Sequence, residues 1–591
     1  MPTKLSGKFQ SVIFIALIVI LGLLVYFNSL GGAFIWDDAG LIKGNLYIRS
    51  WSNLPKIFTS NIWAGIGENS TVFRPLQIVT YLADYSIWNL DPRGYHLTNI
   101  LLHILAALSL YWFINLLFKQ RVLALFSSLL FVCHPVHVEA VSYISGRADP
   151  LAAIFILLAF IFYLKFLETK RTADWVITLL SFIFALLSRE NAVILPVLLL
   201  IYHYAFKKKL EIKPFLSIAA IAAGYIIFRL VFMKTLFYDL PVESTLMQRL
   251  PGCFAALANY FRILFLPINL HMEYGNIFYS FLAPATILGL AIILFLLLGV
   301  LKSKKADATV FFSLLWFMAA FLPVSNLYPL NAYMAEHWLY LPSIGFFIII
   351  AAMFSRWFEK NKIKPVVLGL FISLLLSYAY LTVKQNAYWR SEFSFFKRTL
   401  FYAPGSTKVY YNLGNLYCAA GDNAQGISMY LKAVELNPRY AEAYNNIGGT
   451  YIVLGNNQEG IKYCQLALEI NPRLSAAYYN LGNAYYNLGQ KDKSVEMVKK
   501  SIEFNPVYVD AYNNLAAGYA EAGDVEAAIN LWNKCVKLDP DFATGHFNLA
   551  VFYFNSKNYS LAVKHCDRVI ALGGQVDPKF LEALRPFRQS K

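Results

Sequence analysis

The chain has 591 residues, of which 58% are hydrophobic and 15% are Asp, Glu, Lys or Arg, against about a quarter charged in ordinary soluble domains. That composition excludes a disordered chain and speaks against a wholly soluble globule. The formal charge of +16 points first to basic loops on one side of a membrane, not to a nucleic-acid partner.

The first apolar run, SVIFIALIVILGLLVYFNSL, follows Lys4 and Lys8. No small-x-small site of convincing form comes after it, so it is expected to be an uncleaved span rather than a signal peptide. Further spans are expected near 97–118, 122–140, 150–166, 172–188, 190–206, 214–231, 282–300, 308–322, 338–355 and 364–383, eleven in all. Each is an apolar stretch of membrane-crossing character. The run at 254–269 is broken by Arg262 and Pro267, and 75–90 carries Asp84. Both are expected to be interfacial or partial helices.

The joints KQR at 119–121, KFLETKR at 165–171, KKKLEIK at 207–213, KSKK at 302–305 and RWFEKNKIK at 356–364 are basic and fall on one side of an eleven-span threading. The positive-inside rule makes that side the cytoplasm. Segments 31–74, 141–149, 188–190, 232–281 and 323–337 then lie on the opposite side, together with the polar C-terminal part.

Ionic motifs concentrate in those outer segments. Asp37 and Asp38 directly follow the first span in GGAFIWDDAGLI. Adjacent carboxylates at a membrane edge are costly unless solvated, paired or used. Either could take the proton of an acceptor hydroxyl while the other assists. Arg74 opens the segment after the large loop. CHPVHVEAVSYISGRADPLAA carries His134, His137, Glu139, Arg147 and Asp149, SRENA carries Arg189 and Glu190, and AEHWLYLPSIGF carries Glu336, His337 and Tyr340. No HExxH or other specific ligand set is present, so no metal is expected, and no glycine-rich strand-helix motif suggests a nucleotide cofactor. Arginines match phosphate oxygens with several donors, so Arg74, Arg147 and Arg189 are candidate clamps for a membrane-held phosphorylated donor.

The boundary is placed near Lys384, with residues 384–404 as a juxtamembrane half repeat, 405–574 as repeats and 575–591 as a C-terminal cap. Asn437-Pro438, Asn471-Pro472, Asn505-Pro506 and Asp539-Pro540 recur every 34 residues, as do Gly421, Gly455, Gly489 and Gly523. With Tyr410, Leu413, Gly414 and Tyr417 and their equivalents one and two periods on, this resembles the tetratricopeptide pattern. Asn412, Asn415, Asn445, Asn446, Asn480, Asn483, Asn513 and Asn514 recur near one helical face. They could bind the backbone of an extended peptide or be simple solvent-exposed consensus. None of the six cysteines, Cys133, Cys253, Cys418, Cys464, Cys535 and Cys566, forms a CxxC pair, and those in the repeats are expected to be packed thiols. Asn69-Ser70-Thr71 and Asn558-Tyr559-Ser560 match glycosylation sequons.

The combination of WDD, RPL, HPVHxEAV with GRAD, SRENA and ExxLYLPS, followed by the 34-residue repeats, resembles the transmembrane and tetratricopeptide-repeat-containing protein family. That family belongs with the multi-span glycosyltransferases of the C-type fold, which include protein O-mannosyltransferases. The resemblance implies an all-α chain with a membrane domain over residues 1–383 and a repeat solenoid after it. It implies a polyprenyl-phosphate sugar donor, inverting transfer to a protein or polymer hydroxyl on the non-cytoplasmic side, and the acidic first-loop role on Asp37 or Asp38. It also places Glu139, Arg147, Asp149, Arg189, Glu190 and Glu336 around the same site. The familiar last motif carries arginine where this chain has His337, which puts a phosphate-clamp role there in question. The membrane lipid, the lipid-linked sugar and a protein acceptor are the expected partners. The cysteine pattern favours a bacterial inner membrane with periplasmic repeats; in a eukaryote the repeats would face the lumen of the endoplasmic reticulum. A membrane-anchored repeat scaffold without catalysis is the alternative, and a transporter is a third class.

Overall fold

The computed structural model describes residues 7–68, 70–233, 245–274, 279–330, 332–360 and 363–588. The sequon residue Asn69 and part of the outer segment 232–281 lie outside them. Among the described residues the chain is helical throughout, with no strand. It divides into two compact units, Met1–Pro404 and Gly405–Lys591.

In the first unit, six helices are long and apolar enough to cross a membrane: Phe9–Gly31, Pro92–Phe118, Ile144–Thr169, Ile212–Phe232, Pro284–Ala306 and Lys364–Tyr388. Arg121–Cys133 and Pro135–Ser142 make a further span if counted together, bent by 55°. Pro135 breaks the run, because it cannot donate to the helical ladder and biases His134 out of the helical region. Four shorter apolar helices, Thr172–Ser188, Glu190–Ala205, Ala308–Val324 and Ser343–Phe358, lie at the other expected positions, so the described residues hold six crossing helices, or seven with the bent pair, against the eleven expected. Phe113, Phe160 and Trp316 pack together in the core, with Phe113 5.0 Å from Phe160 and 5.5 Å from Trp316 between ring centres. Buried aromatic pairs of this kind add about 0.5–1.5 kcal/mol beyond area burial.

Residues 254–269, read as an interfacial or partial helix, contribute to a 20-residue helix, Leu246–Phe265, that starts earlier because Thr245 and Gln248 cap each other. That reciprocal cap satisfies two orphan donors at the helix start. Residues 384–404, read as a half repeat, complete Lys364–Tyr388 and form Glu392–Tyr402 within the first unit.

The second unit is a stack of paired helices from Thr407–Ala419 to Tyr559–Ala571, followed by Pro578–Arg588, whose Leu584 is buried against Ala550, Ala562 and Cys566. Gly421, Gly455, Gly489 and Gly523 adopt φ of +84°, +82°, +76° and +86° at the hairpin turns, a conformation that costs glycine little. Lys557 holds the fifth turn at φ +64°, which is why that period lacks the glycine signal. Small residues face bulky ones inside each hairpin: a Cβ at Gly448 would meet Cys464 Sγ at 2.6 Å, and one at Gly482 would meet Val498 at 2.6 Å. Cys464, Cys535 and Cys566 are buried, and all six cysteines are free thiols.

Candidate active site

The five segments read from charge as sharing one side of the membrane meet in the first unit. Asp37 and Asp38 reach Tyr143 and Ser145, Arg74 reaches Glu190, Glu139 reaches His337, and Glu336 reaches His271. The basic joints pair among themselves, through Lys119–Glu168, Lys170–Glu211 and Arg356–Asp307.

The two adjacent aspartates have different environments. Asp38 is 1% exposed. Its Oδ2 accepts the Ile35 N–H at 2.9 Å, and its Oδ1 accepts the Ser145 N–H at 2.9 Å and the Ser145 hydroxyl. Burial outweighs these donors and pushes the Asp38 pKa up from 3.8 to about 7, since desolvation disfavours the charged form. Asp37 is half-buried; its N–H donates to the Tyr143 hydroxyl at 3.3 Å and its carbonyl accepts the Leu41 N–H at 2.8 Å. Trp36, just before it, has φ +56°, a left-handed conformation costly for so bulky a residue.

The remaining charges form buried pairs. Arg74 grips Glu190 with two bonds, Nε to Oε2 at 3.0 Å and a terminal nitrogen to Oε1 at 2.6 Å. This fork-on-carboxylate geometry is the strongest available to a protein ion pair. Arg189 pairs with Asp149. Glu139 takes both the N–H of His337, at 2.9 Å, and its Nδ1, at 2.8 Å. Glu336 Oε1 accepts the His271 N–H and the Tyr274 hydroxyl, each at 2.6 Å, while its buried Oε2 meets no partner. Burial, reinforced by the nearby Glu139 charge, holds the Glu336 carboxyl well above the usual carboxylate range, since desolvation favours the neutral form.

Arg147 departs from its expected part as an open phosphate clamp. It is wholly buried, paired with Asp84 at 2.6 Å, donates to the Tyr95 carbonyl at 3.1 Å and lies over the Tyr81 ring at 4.5 Å. A guanidinium so enclosed holds helices together and is not presented to a lipid. His134 and His137 are also core residues. His134 is bonded to the Leu264 carbonyl and the Val136 N–H, and His137 packs on Phe131 and Tyr340. Among the described residues, no group of three or more His, Cys, Asp or Glu side chains is arranged to hold a metal ion.

Several participants escaped the sequence reading. Asp84 was noted only as an obstacle to a span, yet it is the Arg147 partner. Tyr143 and Ser145 lie in the quoted turn but carry no charge. Arg229 is fully buried on Ile212–Phe232, where its charge acts on Glu190. An arginine inside an apolar run was the available signal for it.

In the repeats, the predicted asparagines bond to one another across successive first helices. Asn446 donates to Asn415 at 2.9 Å, Asn480 to Asn445 at 2.9 Å and Asn514 to Asn483 at 2.7 Å. Asn513 accepts from Trp532 Nε1 at 3.0 Å and from Asn548 at 2.9 Å. Asn548 lies 34 residues after Asn514, so the register itself pointed to it. Asn412 is half-buried on the first helix of the stack. Each amide has four hydrogen-bonding positions, so the ladder leaves capacity for a ligand.

Comparison with known proteins agrees with these two parts. Residues 62–236 match the family described as dolichyl-phosphate-mannose-protein mannosyltransferase, a span that holds Arg74, Glu139, Arg189 and Glu190. Residues 439–506, 414–455, 518–556 and 479–534 match tetratricopeptide repeat families. The chain is similar to protein O-mannosyl-transferase F38B6.6 of Caenorhabditis elegans, 27% identical over 463 residues, covering 74% of this chain and 64% of that protein. It is similar to human protein O-mannosyl-transferase TMTC1, 29% identical over 491 residues, covering 71% of this chain and 54% of that protein. It therefore spans between about half and two thirds of the length of these relatives.

Proposed function

We propose that this multi-pass membrane chain, a two-part relative of the protein O-mannosyl-transferases, transfers a sugar from a polyprenyl phosphate to a hydroxyl of a protein acceptor. The relatives' names favour mannose as the sugar. In the reaction the acceptor oxygen forms a bond to the anomeric carbon, the bond from that carbon to the phosphate oxygen breaks, and the lipid phosphate leaves with the electron pair. The acceptor proton passes to Asp37. One displacement of this kind inverts the anomeric centre.

The observation that carries the reading is the asymmetry of the two aspartates. Asp38 is buried with both oxygens occupied by the chain's own donors, so it shapes the loop. Asp37 is half-buried beside it, on a main chain fixed by Tyr143, and is the carboxylate placed to meet an acceptor. Of the nitrogen donors Arg74, Arg147, Arg189 and His337, Arg74 and His337 retain most exposure, at 11% and 24% of the side chain. They are placed to receive the donor phosphate, whose developing charge such fixed groups stabilise. The paired carboxylates Glu139, Asp149 and Glu190 orient His337, Arg189 and Arg74 in turn. No metal enters this scheme.

The repeats are proposed to hold the acceptor along the asparagine ladder, in the compartment opposite the basic joints. The cysteine usage favours the periplasm of a bacterium for that compartment. The test is transfer by the full chain, in detergent or nanodiscs, from polyprenyl-phosphate mannose to candidate peptides. Asp37→Asn should abolish product while leaving folding intact. A folded Asp37→Asn protein that transfers sugar at the parent rate would remove Asp37 from the mechanism.

A further inference from the structure

We propose that the helix Glu392–Tyr402 is a positioning element of the transfer site, and that Trp36 is the residue through which it sets Asp37. This rests on the assignment of Asp37 above.

Sequence spacing put this helix in phase with the repeats, yet its side chains hold two loops of the membrane unit. At its start, the Arg390 carbonyl accepts the Ala33 N–H at 3.1 Å, tying the aspartate loop to the turn before the helix. The Trp36 ring lies 5.8 Å from Phe395 and 5.4 Å from Phe396. Both phenylalanines are buried, at 3% and 2% exposure. Phe395 packs in turn on Trp389 at 4.9 Å, and Trp389 stacks on Tyr143 at 5.4 Å and 28°. Tyr143 closes the circuit by accepting the Asp37 N–H. The Asp37 main chain is thus bracketed by Trp36 on one side and Tyr143 on the other, both resting on residues 389–396.

At the far end, Arg398 Nε donates to the Leu270 carbonyl at 3.0 Å and the Tyr402 hydroxyl donates to Asn269 Oδ1 at 3.0 Å. The Tyr402 ring stacks on His271 at 4.8 Å and 5°, and His271 is the main-chain donor to Glu336. One short helix therefore spaces the Asp37 loop against the Glu336 loop.

The backbone of Trp36 shows that this spacing is imposed. At φ +56° a tryptophan pays a conformational cost that only tertiary packing can hold in place. Gly32 lies nearby in the loop, but a tryptophan occupies the left-handed position. The ring's contacts with Phe395 and Phe396 help to offset the unfavourable backbone. Releasing the ring lets the backbone relax and moves Asp37, and a shift of about 1 Å at a reacting group can cost about a hundredfold in rate.

The experiment uses the full chain and compares Trp36→Ala, Trp36→Phe and the exposed same-helix control Phe401→Ala, with Asp37→Asn alongside. Expected for Trp36→Ala is a kcat about 10- to 100-fold lower with donor KM little changed. Trp36→Phe should recover most of it, and Phe401→Ala should match the parent. Amide exchange should quicken over residues 33–43 in Trp36→Ala while the repeats keep their protection. The proposal fails if Trp36→Ala retains the parent kcat while Asp37→Asn is inactive. It also fails if Trp36→Phe is as impaired as Trp36→Ala, or if protection falls across the whole chain. Transfer by Asp37→Asn at the parent rate would instead refute the assignment of Asp37.

Discussion

Asp38 and Ser145, 107 residues apart, are joined by two hydrogen bonds to one carboxylate oxygen, from the serine N–H at 2.9 Å and from its hydroxyl. With the Ile35 N–H on the other oxygen, they fasten the loop after the first span to the first turn of Ile144–Thr169. Asp37, half-buried beside it, is the member of the pair proposed to meet a substrate.

The two aspartates should separate experimentally. Asp37→Asn should keep the parent melting temperature and lose transfer by about 10²–10⁴-fold, the usual contribution of a general base. Asp38→Asn should lower stability by about 1–3 kcal/mol, because the amide presents a donor to one of the chain donors that now face oxygen. Thermal unfolding and single-turnover transfer on both variants check this. Equal melting temperatures would remove the structural role of Asp38.

Asp38 also predicts a pH dependence of stability. Its folded pKa, about 7, lies above its ordinary value of 3.8, so the folded chain binds more protons between those values than the unfolded chain does. Its contribution is present below about pH 4 and declines as pH rises toward 7. Melting temperatures across that window should fall less steeply in Asp38→Asn than in the parent. Matching slopes would contradict the burial argument.

Arg74 and Glu190 are expected to behave as a buried pair. Arg74→Gln strands the Glu190 carboxylate, 5% exposed, and should cost about 3–5 kcal/mol. Adding Glu190→Gln removes the stranded charge and should recover most of that loss. A double-mutant cycle on thermal stability reads the coupling directly, and additive losses would show that the bidentate contact contributes nothing.

Glu336 should tolerate an uncharged isostere. Burial and the Glu139 charge raise its pKa and favour the neutral form, and a glutamine oxygen can still accept from His271 and Tyr274. Glu336→Gln should therefore match the parent in melting temperature, whereas Glu336→Ala leaves two buried donors unsatisfied at about 1–3 kcal/mol. A large loss in Glu336→Gln would indicate that the charged form is the native one.

What the sequence settled is what depends on local pattern. Apolar runs marked the membrane helices and the 34-residue step marked the helix pairs, because each is written in neighbouring residues. The same reading grouped Asp37, Arg74, Glu139, Arg189, Glu190, Glu336 and His337 on one face without knowing their contacts. Which residue of WDD is buried, that Arg147 is consumed by Asp84, and that Arg229 and Tyr143 join the site were decided only by tertiary structure. Hydrogen-bond saturation and desolvation depend on partners far apart in chain order, such as Asn386 and Val25, 361 residues apart. The helix Glu392–Tyr402 shows the same limit, since it keeps the phase of the repeats while its aromatic side chains pack against the loop of Asp37.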